Sequence, residues 1–233
     1  MATAPINTYR PMTIASGVRT SAERAPNKIA LREGARELSY TQLVEHIDRV
    51  ANGARHGLGL SPGDNVMLLA PNCLEYVEIV AGLAEAGIAV ATINPRQTAR
   101  EIAAIAEDCG ARIIFAHPAV EELVRDADLA SPERIIILGD DYDDWLAGAK
   151  PAMLESGVDE RDAFAISYTS GTTGKAKGTV HTHCGFVTKL ALDFGLCMDF
   201  KTGDRFLWMS DLGWVTGPMT IVLTQLFGGT VVM

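Results

Sequence analysis

The sequence predicts an α/β protein whose parallel sheet carries helices on both faces. Short continuous apolar runs alternate with segments whose apolar residues recur at helical spacing, and the turns between them are rich in Gly, Pro and Asp. Such alternation is typical of parallel strands joined by helical crossovers. With 48% hydrophobic and 21% charged residues among 233, the chain also has enough apolar side chains for a sizeable core.

The predicted elements follow one another in a regular order. Residues 41–55 show helical spacing of apolar positions, and Ser39 or Thr41 offers an oxygen to cap that helix. Thr98 and Glu101 have the spacing of a capping box, which predicts the start of a later helix. The predicted helices cover residues 41–55, 72–87, 98–109, 120–126 and 183–194. The predicted strands cover residues 66–70, 88–93, 112–116, 134–138 and 164–168.

Composition argues against several classes of protein. The formal net charge of -9 and the sequence pI near 5.0 disfavour a sequence-independent nucleic-acid binder, because such proteins hold phosphates with a surplus of Lys and Arg. The longest apolar stretches, residues 79–93 and 219–233, are shorter than the roughly 20 residues of a membrane-spanning helix. Both are therefore predicted to be buried core, and no membrane span is expected.

Cysteine usage and the start of the chain predict the cellular compartment. The four cysteines stand far apart without a C-x-x-C pair, so neither a structural zinc site nor a disulfide framework is predicted. Residues 1–12 lack the basic and apolar regions of a secretory signal. We therefore expect a cytoplasmic protein.

Two polar stretches divide the chain. Residues 139–144 form an acidic segment that we interpret as a solvated loop, with a divalent-metal site as the less favoured alternative. Residues 151–162 are polar and irregular and are predicted to link two subdomains. The first would cover residues 1–150, and the second would start at residue 163 and run to residue 233.

Residues 169–178 have the composition of a loop that binds phosphate. Their sequence is Thr-Ser-Gly-Thr-Thr-Gly-Lys-Ala-Lys-Gly, directly after the strand predicted at 164–168. Glycines let backbone N–H groups approach a polyphosphate, hydroxyls donate hydrogen bonds, and lysine supplies positive charge. Composition alone fits an ordinary polar turn equally well. The nucleoside-triphosphatase loop is not matched, because four residues stand between its first glycine and its Gly-Lys pair, whereas two residues stand between Gly171 and Gly174.

In its order of residues, the segment from Tyr168 to Gly178 closely resembles the AMP-binding signature of the adenylate-forming superfamily, which includes acyl-CoA synthetases, peptide-synthetase adenylation domains and luciferases. Upstream segments at residues 38–43, 63–66, 85–88 and 93–95, followed by Glu101, resemble the N-terminal subdomain of the same superfamily in order and spacing. Ala176 is a departure, because the family usually has proline there, while the lysine that follows it is retained as Lys177.

A second resemblance lies downstream, in the sequence Met-Ser-Asp-Leu-Gly-Trp-Val-Thr-Gly at 209–217. This stretch, called the acyl segment below, is similar to one that acetyl and other short-chain acyl-CoA synthetases carry after the phosphate loop. The resemblance implies that Val215 and Thr216 help to wall the acyl pocket, together with Trp214. Ordinary core packing of Trp214 and Val215 is the alternative. Pro218 departs from the short-chain pattern, where a histidine is usual, so the size of the acid stays open.

The resemblance implies an AMP-forming ligase that activates a carboxylic acid with ATP and transfers the acyl group to coenzyme A, with Mg²⁺ on the phosphates. By resemblance, the loop would hold the β- and γ-phosphates through Thr169, Ser170, Gly171, Thr172, Thr173, Gly174 and Lys177. Lys177 would be the catalytic cation and Thr172 the loop's ligand to Mg²⁺. Lys175 is interpreted as a solvated surface lysine, since family members vary there.

The histidines near the loop are not predicted to bind a metal. His181 and His183 are two residues apart, a spacing that does not place both on one face of a helix, and a structural role for His183 at the start of the next helix is favoured.

The family's later elements would all follow Met233, including the magnesium-binding glutamate, the ribose-binding aspartate and the C-terminal lysine. The chain is thus expected to be an N-terminal fragment that is inactive by itself. Two alternatives stay open: an adenylation domain that loads an amino or aryl acid onto a carrier protein, which residues 214–217 disfavour, and a truncated polypeptide without turnover. The sequence predicts neither the identity of the acid nor the oligomeric state.

Overall fold

The computed structural model describes residues 11–127, 129, 132–169 and 176–233. Its strands form two sheets, and helices cover both faces of the larger one. The strands are β1 (Ile29–Glu33), β2 (Arg36–Ser39), β3 (Asn65–Leu69), β4 (Ala89–Ile93), β5 (Ile113–Ala116), β6 (Arg134–Ile137), β7 (Ala163–Thr169), β8 (Lys177–Thr182), β9 (Arg205–Leu207) and β10 (Thr230–Val232). The predicted α/β class with parallel strands is therefore confirmed.

The larger sheet has six strands in the order β6-β5-β3-β4-β7-β8. All neighbours are parallel except β7 and β8, which form an antiparallel pair. Strands β3 and β4 are buried along nearly their whole length, as the continuous apolar runs predicted. Because β6, β5, β3, β4 and β7 run in the same direction, their carboxyl ends lie at one edge of the sheet.

The smaller sheet has four strands in the order β2-β1-β10-β9. It pairs strands from near the start of the sequence with strands from near its end. β1 and β2 form a hairpin, and β1 pairs in parallel with β10, so that Leu31 lies opposite Val231. None of these four strands was predicted from the sequence. Each is short and only partly apolar, and its stability depends on a partner far away in the chain.

The helices are α1 (Ile14–Arg24), α2 (Tyr40–Asn52), α3 (Leu74–Glu85), α4 (Ala99–Cys109), α5 (Glu121–Asp126), α6 (Asp140–Ala147), α7 (His183–Leu190) and α8 (Thr216–Leu226). Two of them continue in a wider π-helical turn, α2 over Gly53–Gly57 and α7 over Ala191–Cys197. None of the helices in the described ranges is long and apolar enough to cross a membrane.

Local capping chemistry places two of the predicted helix starts. Ser39 accepts a hydrogen bond from the backbone N–H of Gln42, and the Gln42 side chain accepts one from the Ser39 N–H in return. Thr98 and Glu101 make the same reciprocal pair at the start of α4, as their spacing predicted. Gly110 ends α4 with φ of +59°, a left-handed conformation that glycine adopts without strain.

The acidic segment at 139–144 is helical, so the prediction of a solvated loop was wrong. α6 begins at Asp140, and Asp140, Asp141 and Asp143 lie in its first turn, where negative charge is favoured by the helix dipole. Tyr142 and Leu146, four residues apart, are buried and hold the helix against the core. No cluster of His, Cys, Asp or Glu in the described parts of the chain could hold a metal, which includes this segment.

Residues 150–162 contain neither helix nor strand. Both sheets nevertheless contain strands from before and after this stretch, because β7 pairs with β4 and β10 with β1. The division into subdomains at residues 151–162 stays a prediction.

Candidate functional site

Polar and glycine-rich segments gather at the carboxyl edge of the six-stranded sheet. Asn72 follows β3, Asn94 follows β4, and Thr169 is the last residue of β7. Ligands of open α/β sheets bind at this edge, in the crevice outside the carboxyl ends of the strands. Thr169, the first residue of the phosphate loop, and Gly213 of the acyl segment both lie at this edge.

The two ends of the phosphate loop are paired across the β7–β8 hairpin. Thr169 lies opposite Lys177, and Tyr168 lies opposite Gly178. The predicted contacts at Ser170, Gly171, Thr172, Thr173 and Gly174 lie outside the described residues, as does Lys175, so their roles stay predictions.

Close packing at the base of the loop requires glycine at position 178. A Cβ at Gly178 would lie 2.9 Å from Ile166 Cγ2 and 3.0 Å from Tyr168 Cζ. The Tyr168 hydroxyl in turn donates to Asp108 Oδ2 on α4, at 2.6 Å. Desolvation raises the pKa of Tyr168, so the phenol stays a neutral donor. The start of the loop is thereby tied to the helix that packs beside it.

The side chains at both ends of the loop face solvent in the described part of the chain. Thr169 and Lys177 are exposed, and the Lys177 ammonium makes no hydrogen bond or ion pair with any residue in the described ranges. An unpaired ammonium and a hydroxyl are donors of the kind that a polyphosphate takes. These two residues therefore fit the predicted ATP site.

The acyl segment crosses the same sheet edge next to β4. A Cβ at Gly213 would lie 2.5 Å from the carbonyl oxygen of Ile93, so only glycine allows this approach. Trp214 and Val215 are 43% and 42% exposed, so neither is buried among the described residues. Thr216 begins α8, and its hydroxyl is buried without a hydrogen-bond partner among the described residues. The three predicted acyl-pocket residues are thus consecutive at one turn, and their contact with an acid stays a prediction.

Sequence analysis missed the two residues that hold the acyl segment. The Asn72 side chain bonds to Ser210 and Leu212, and the Tyr76 hydroxyl donates to the carbonyl oxygen of Leu212 at 2.8 Å. A polar residue directly beyond a buried strand was the available signal for Asn72. For Tyr76 there was none, because it lies among the buried residues of α3.

His183 has the structural role predicted for it. It is fully buried as the first residue of α7, its Nδ1 accepts a hydrogen bond from the N–H of Ile14 at 3.3 Å, and its ring packs on Phe164. Burial lowers the pKa of His183 to about 4. The neighbouring His181 belongs to β8, and burial lowers its pKa as well.

This burial predicts a pH dependence of stability. Because the folded protein keeps His183 neutral, its contribution is complete above the unfolded pKa of about 6.5 and is lost as the pH falls toward 4, by at most about 3 kcal/mol. The hydrogen bond to Glu78 raises the pKa of His46, so its contribution has the opposite pH dependence: it is complete below the unfolded pKa of about 6.5 and is lost as the pH rises through the higher folded pKa. We expect His183→Asn, which keeps an acceptor for the Ile14 N–H, to be less stable than wild type at pH 7.5. Its deficit should shrink as the pH falls to 4. Urea denaturation at several pH values measures this, and a constant deficit would contradict it.

Comparisons with known proteins identify the family of this chain. The family model described as "AMP-binding enzyme" matches residues 18–233. A fatty acid–[acyl-carrier-protein] ligase of Streptomyces coeruleorubidus is 32% identical over 191 residues, covering 78% of this chain and 36% of that protein. A feruloyl-CoA synthase of an Amycolatopsis species is 32% identical over 213 residues, covering 91% of this chain and 42% of that protein.

A solved structure shares the fold. The N-terminal domain of FACL13 from Mycobacterium tuberculosis superposes with a TM-score of 0.88 at 27% identity, over 95% of this chain and 57% of that one. The chain spans about two fifths of the length of the two curated relatives described above. Since the family model covers nearly all of the sequence and the fold agrees with it, the chain belongs to the AMP-binding enzymes, whose members include acyl-CoA and acid ligases.

Proposed function

We propose that the full-length protein containing this chain is an AMP-forming ligase that joins a carboxylic acid to coenzyme A at the expense of ATP. The observation that carries the proposal is the arrangement at the sheet edge. Thr169 ends β7, the neighbour of β4, and Lys177 opposite it has no hydrogen-bond or ion-pair partner among the described residues. The exposed Trp214 and Val215 follow Gly213, which lies against the last residue of β4. One side offers donors for a polyphosphate, and the other offers apolar surface for an acyl chain.

The reaction has two halves. A carboxylate oxygen of the acid attacks the α-phosphorus of ATP and pyrophosphate leaves, and the coenzyme A thiol then attacks the acyl carbonyl and expels AMP. Such chemistry depends on positioning and charge stabilisation more than on a side-chain nucleophile. Thr169 and Lys177 would hold the outer phosphates, and Mg²⁺, with Thr172 as a ligand, would neutralise charge on them. Trp214, Val215 and Thr216 would contact the acid.

A carrier protein is the second candidate for the thiol acceptor. It is favoured by one observation, the similarity to a relative named as a fatty acid–[acyl-carrier-protein] ligase. The other relative is named for feruloyl-CoA, so the two differ in acid as well as in acceptor. The proposal includes a cytoplasmic location and a place in fatty acid metabolism. It leaves the class of acid open.

The proposal predicts that the full-length protein exchanges pyrophosphate with ATP only when a carboxylic acid is present. A panel of short-chain, long-chain and aryl acids tests this, with coenzyme A and a phosphopantetheinylated carrier protein compared as acceptors. Equal ATP breakdown without any acid would indicate a simple ATPase and contradict the proposal.

Lys177→Ala in the same assay tests the assigned cation. Loss of a charge-assisted bond should lower kcat/KM for ATP. The decrease should correspond to a loss of about 1.5–3 kcal/mol of transition-state stabilisation. Lys175→Ala, the matched control in the same loop, should have a much smaller effect. Equal losses for the two lysines would show that the cation is wrongly assigned.

A further inference from the structure

Asn72 connects the sheet edge to the acyl segment through both ends of its side-chain amide. Its Nδ2 donates to the carbonyl oxygen of Ser210 at 3.0 Å, and its Oδ1 accepts from the N–H of Leu212 at 2.8 Å. The side chain thereby satisfies two backbone groups two residues apart, much as a neighbouring strand would. An amide can do this because it carries a donor and an acceptor side by side.

Tyr76 strengthens the same attachment from the first turn of α3. Its hydroxyl donates to the carbonyl oxygen of Leu212 at 2.8 Å, and burial raises the pKa of Tyr76, which keeps the phenol a neutral donor. By contrast, the nearby pair of Arg96 and Asp211 is 3.6 Å long, and Arg96 is 83% exposed, so this pair contributes little. Asn72, between β3 and α3, and Tyr76, within α3, thus hold residues 210–212.

The path of the chain beyond Leu212 depends on this attachment. Gly213 lies directly against the Ile93 carbonyl, and two turns follow, with Trp214 N–H bonded to Asp211 O at 3.2 Å and Gly217 N–H to Trp214 O at 2.8 Å. Trp214 and Val215 project outward from these turns. Their direction is therefore set by where Ser210 and Leu212 are held.

We propose that Asn72 is a positioning residue for the acyl pocket, which orients Trp214 and Val215 toward the acid by holding Ser210 and Leu212 against the sheet edge. This inference rests on the proposed ligase function. It assigns Asn72 no contact with ATP. Replacing Asn72 should therefore change KM for the acid more than KM for ATP.

The attachment itself is tested by hydrogen exchange on the present chain. Asn72→Ala should speed exchange of the backbone amides of residues 210–217 by about tenfold or more, since two hydrogen bonds are lost. Asn65→Ala is the matched control, because Asn65 also donates its amide to one backbone carbonyl, that of Cys109 at 2.8 Å, far from the acyl segment in the sequence. The control should leave exchange at 210–217 unchanged. Unchanged exchange in Asn72→Ala would overturn the proposal.

The role in the pocket is tested by kinetics of the full-length protein. Asn72→Ala should raise KM for the acid about tenfold, while KM for ATP changes less than about twofold. Tyr76→Phe, which removes one bond and keeps the ring, should shift the acid KM in the same direction by less. It tests the same attachment should Asn72→Ala fail to fold. A parallel rise in both KM values would indicate general damage and overturn the positioning role.

The two proposals can fail separately. If wild type shows no acid-dependent pyrophosphate exchange, the ligase function and the pocket role fall together, whatever the hydrogen exchange shows. If wild type is active and Asn72→Ala leaves the acid KM unchanged, the inference on Asn72 fails and the ligase function stands.

Discussion

Replacing Arg19 with methionine should lower the free energy of unfolding by about 3–5 kcal/mol. Arg19 on α1 bonds to Asp48 on α2 at 2.5 Å and to Glu85 on α3 at 3.3 Å, and both carboxylate side chains are at most 10% exposed. Removing the guanidinium leaves two buried carboxylates without their cation, whereas methionine retains most of the side-chain volume. Urea denaturation at pH 7 measures the loss.

An exposed ion pair provides the control for this substitution. Arg125 bonds to Glu121 four residues earlier, with side chains 67% and 34% exposed, and Arg125→Met should cost no more than about 0.5 kcal/mol. Burial raises the pKa of Glu85. Without Arg19 the protonated form should be favoured further, so the Arg19→Met deficit should shrink as the pH falls toward 4. A deficit below about 1 kcal/mol at pH 7 would show that the buried triad is not important for stability.

Gly217→Ala should cost about 3 kcal/mol, the upper part of the usual range for overpacking. A Cβ at Gly217 would overlap the carbonyl oxygen of Leu212, and backbone atoms cannot move aside as a flexible side chain does. The turn that leads into α8 would have to open, which displaces Trp214 and Val215. We therefore expect a lower Tm in this chain and a raised KM for the acid in the full-length protein.

Gly185→Ala is the matched control for overpacking. Gly185 is also helical, in α7, and it is exposed. Among the described residues, a Cβ there would meet the Thr182 hydroxyl at 3.0 Å, and this hydroxyl can rotate away. Alanine should be neutral or should stabilise the helix by up to about 1 kcal/mol. If both glycine variants behaved alike, crowding at Leu212 would not explain the loss at position 217.

The sequence by itself determined the elements whose cause is local. Thr98 and Glu101 are three residues apart and cap α4 as predicted, and the apolar run at 66–70 gives β3. The phosphate loop was recognisable for the same reason, because its donors are contiguous and their order is specific. Family and fold class followed from such short-range signals.

The pairings between distant residues could be seen only in the tertiary structure. Leu31 and Val231 lie side by side in a sheet that no local pattern indicated, and Asn72 bonds to Leu212, 140 residues later. The acidic segment at 139–144 was misassigned because its charge suggested a loop, whereas it begins α6, in which Tyr142 and Leu146 are buried against the core. The physical reason is common to these cases. Pairing and burial between distant residues stabilise a backbone conformation only after the chain has folded. Such a segment therefore need not show the periodic pattern of a helix or strand in its own sequence.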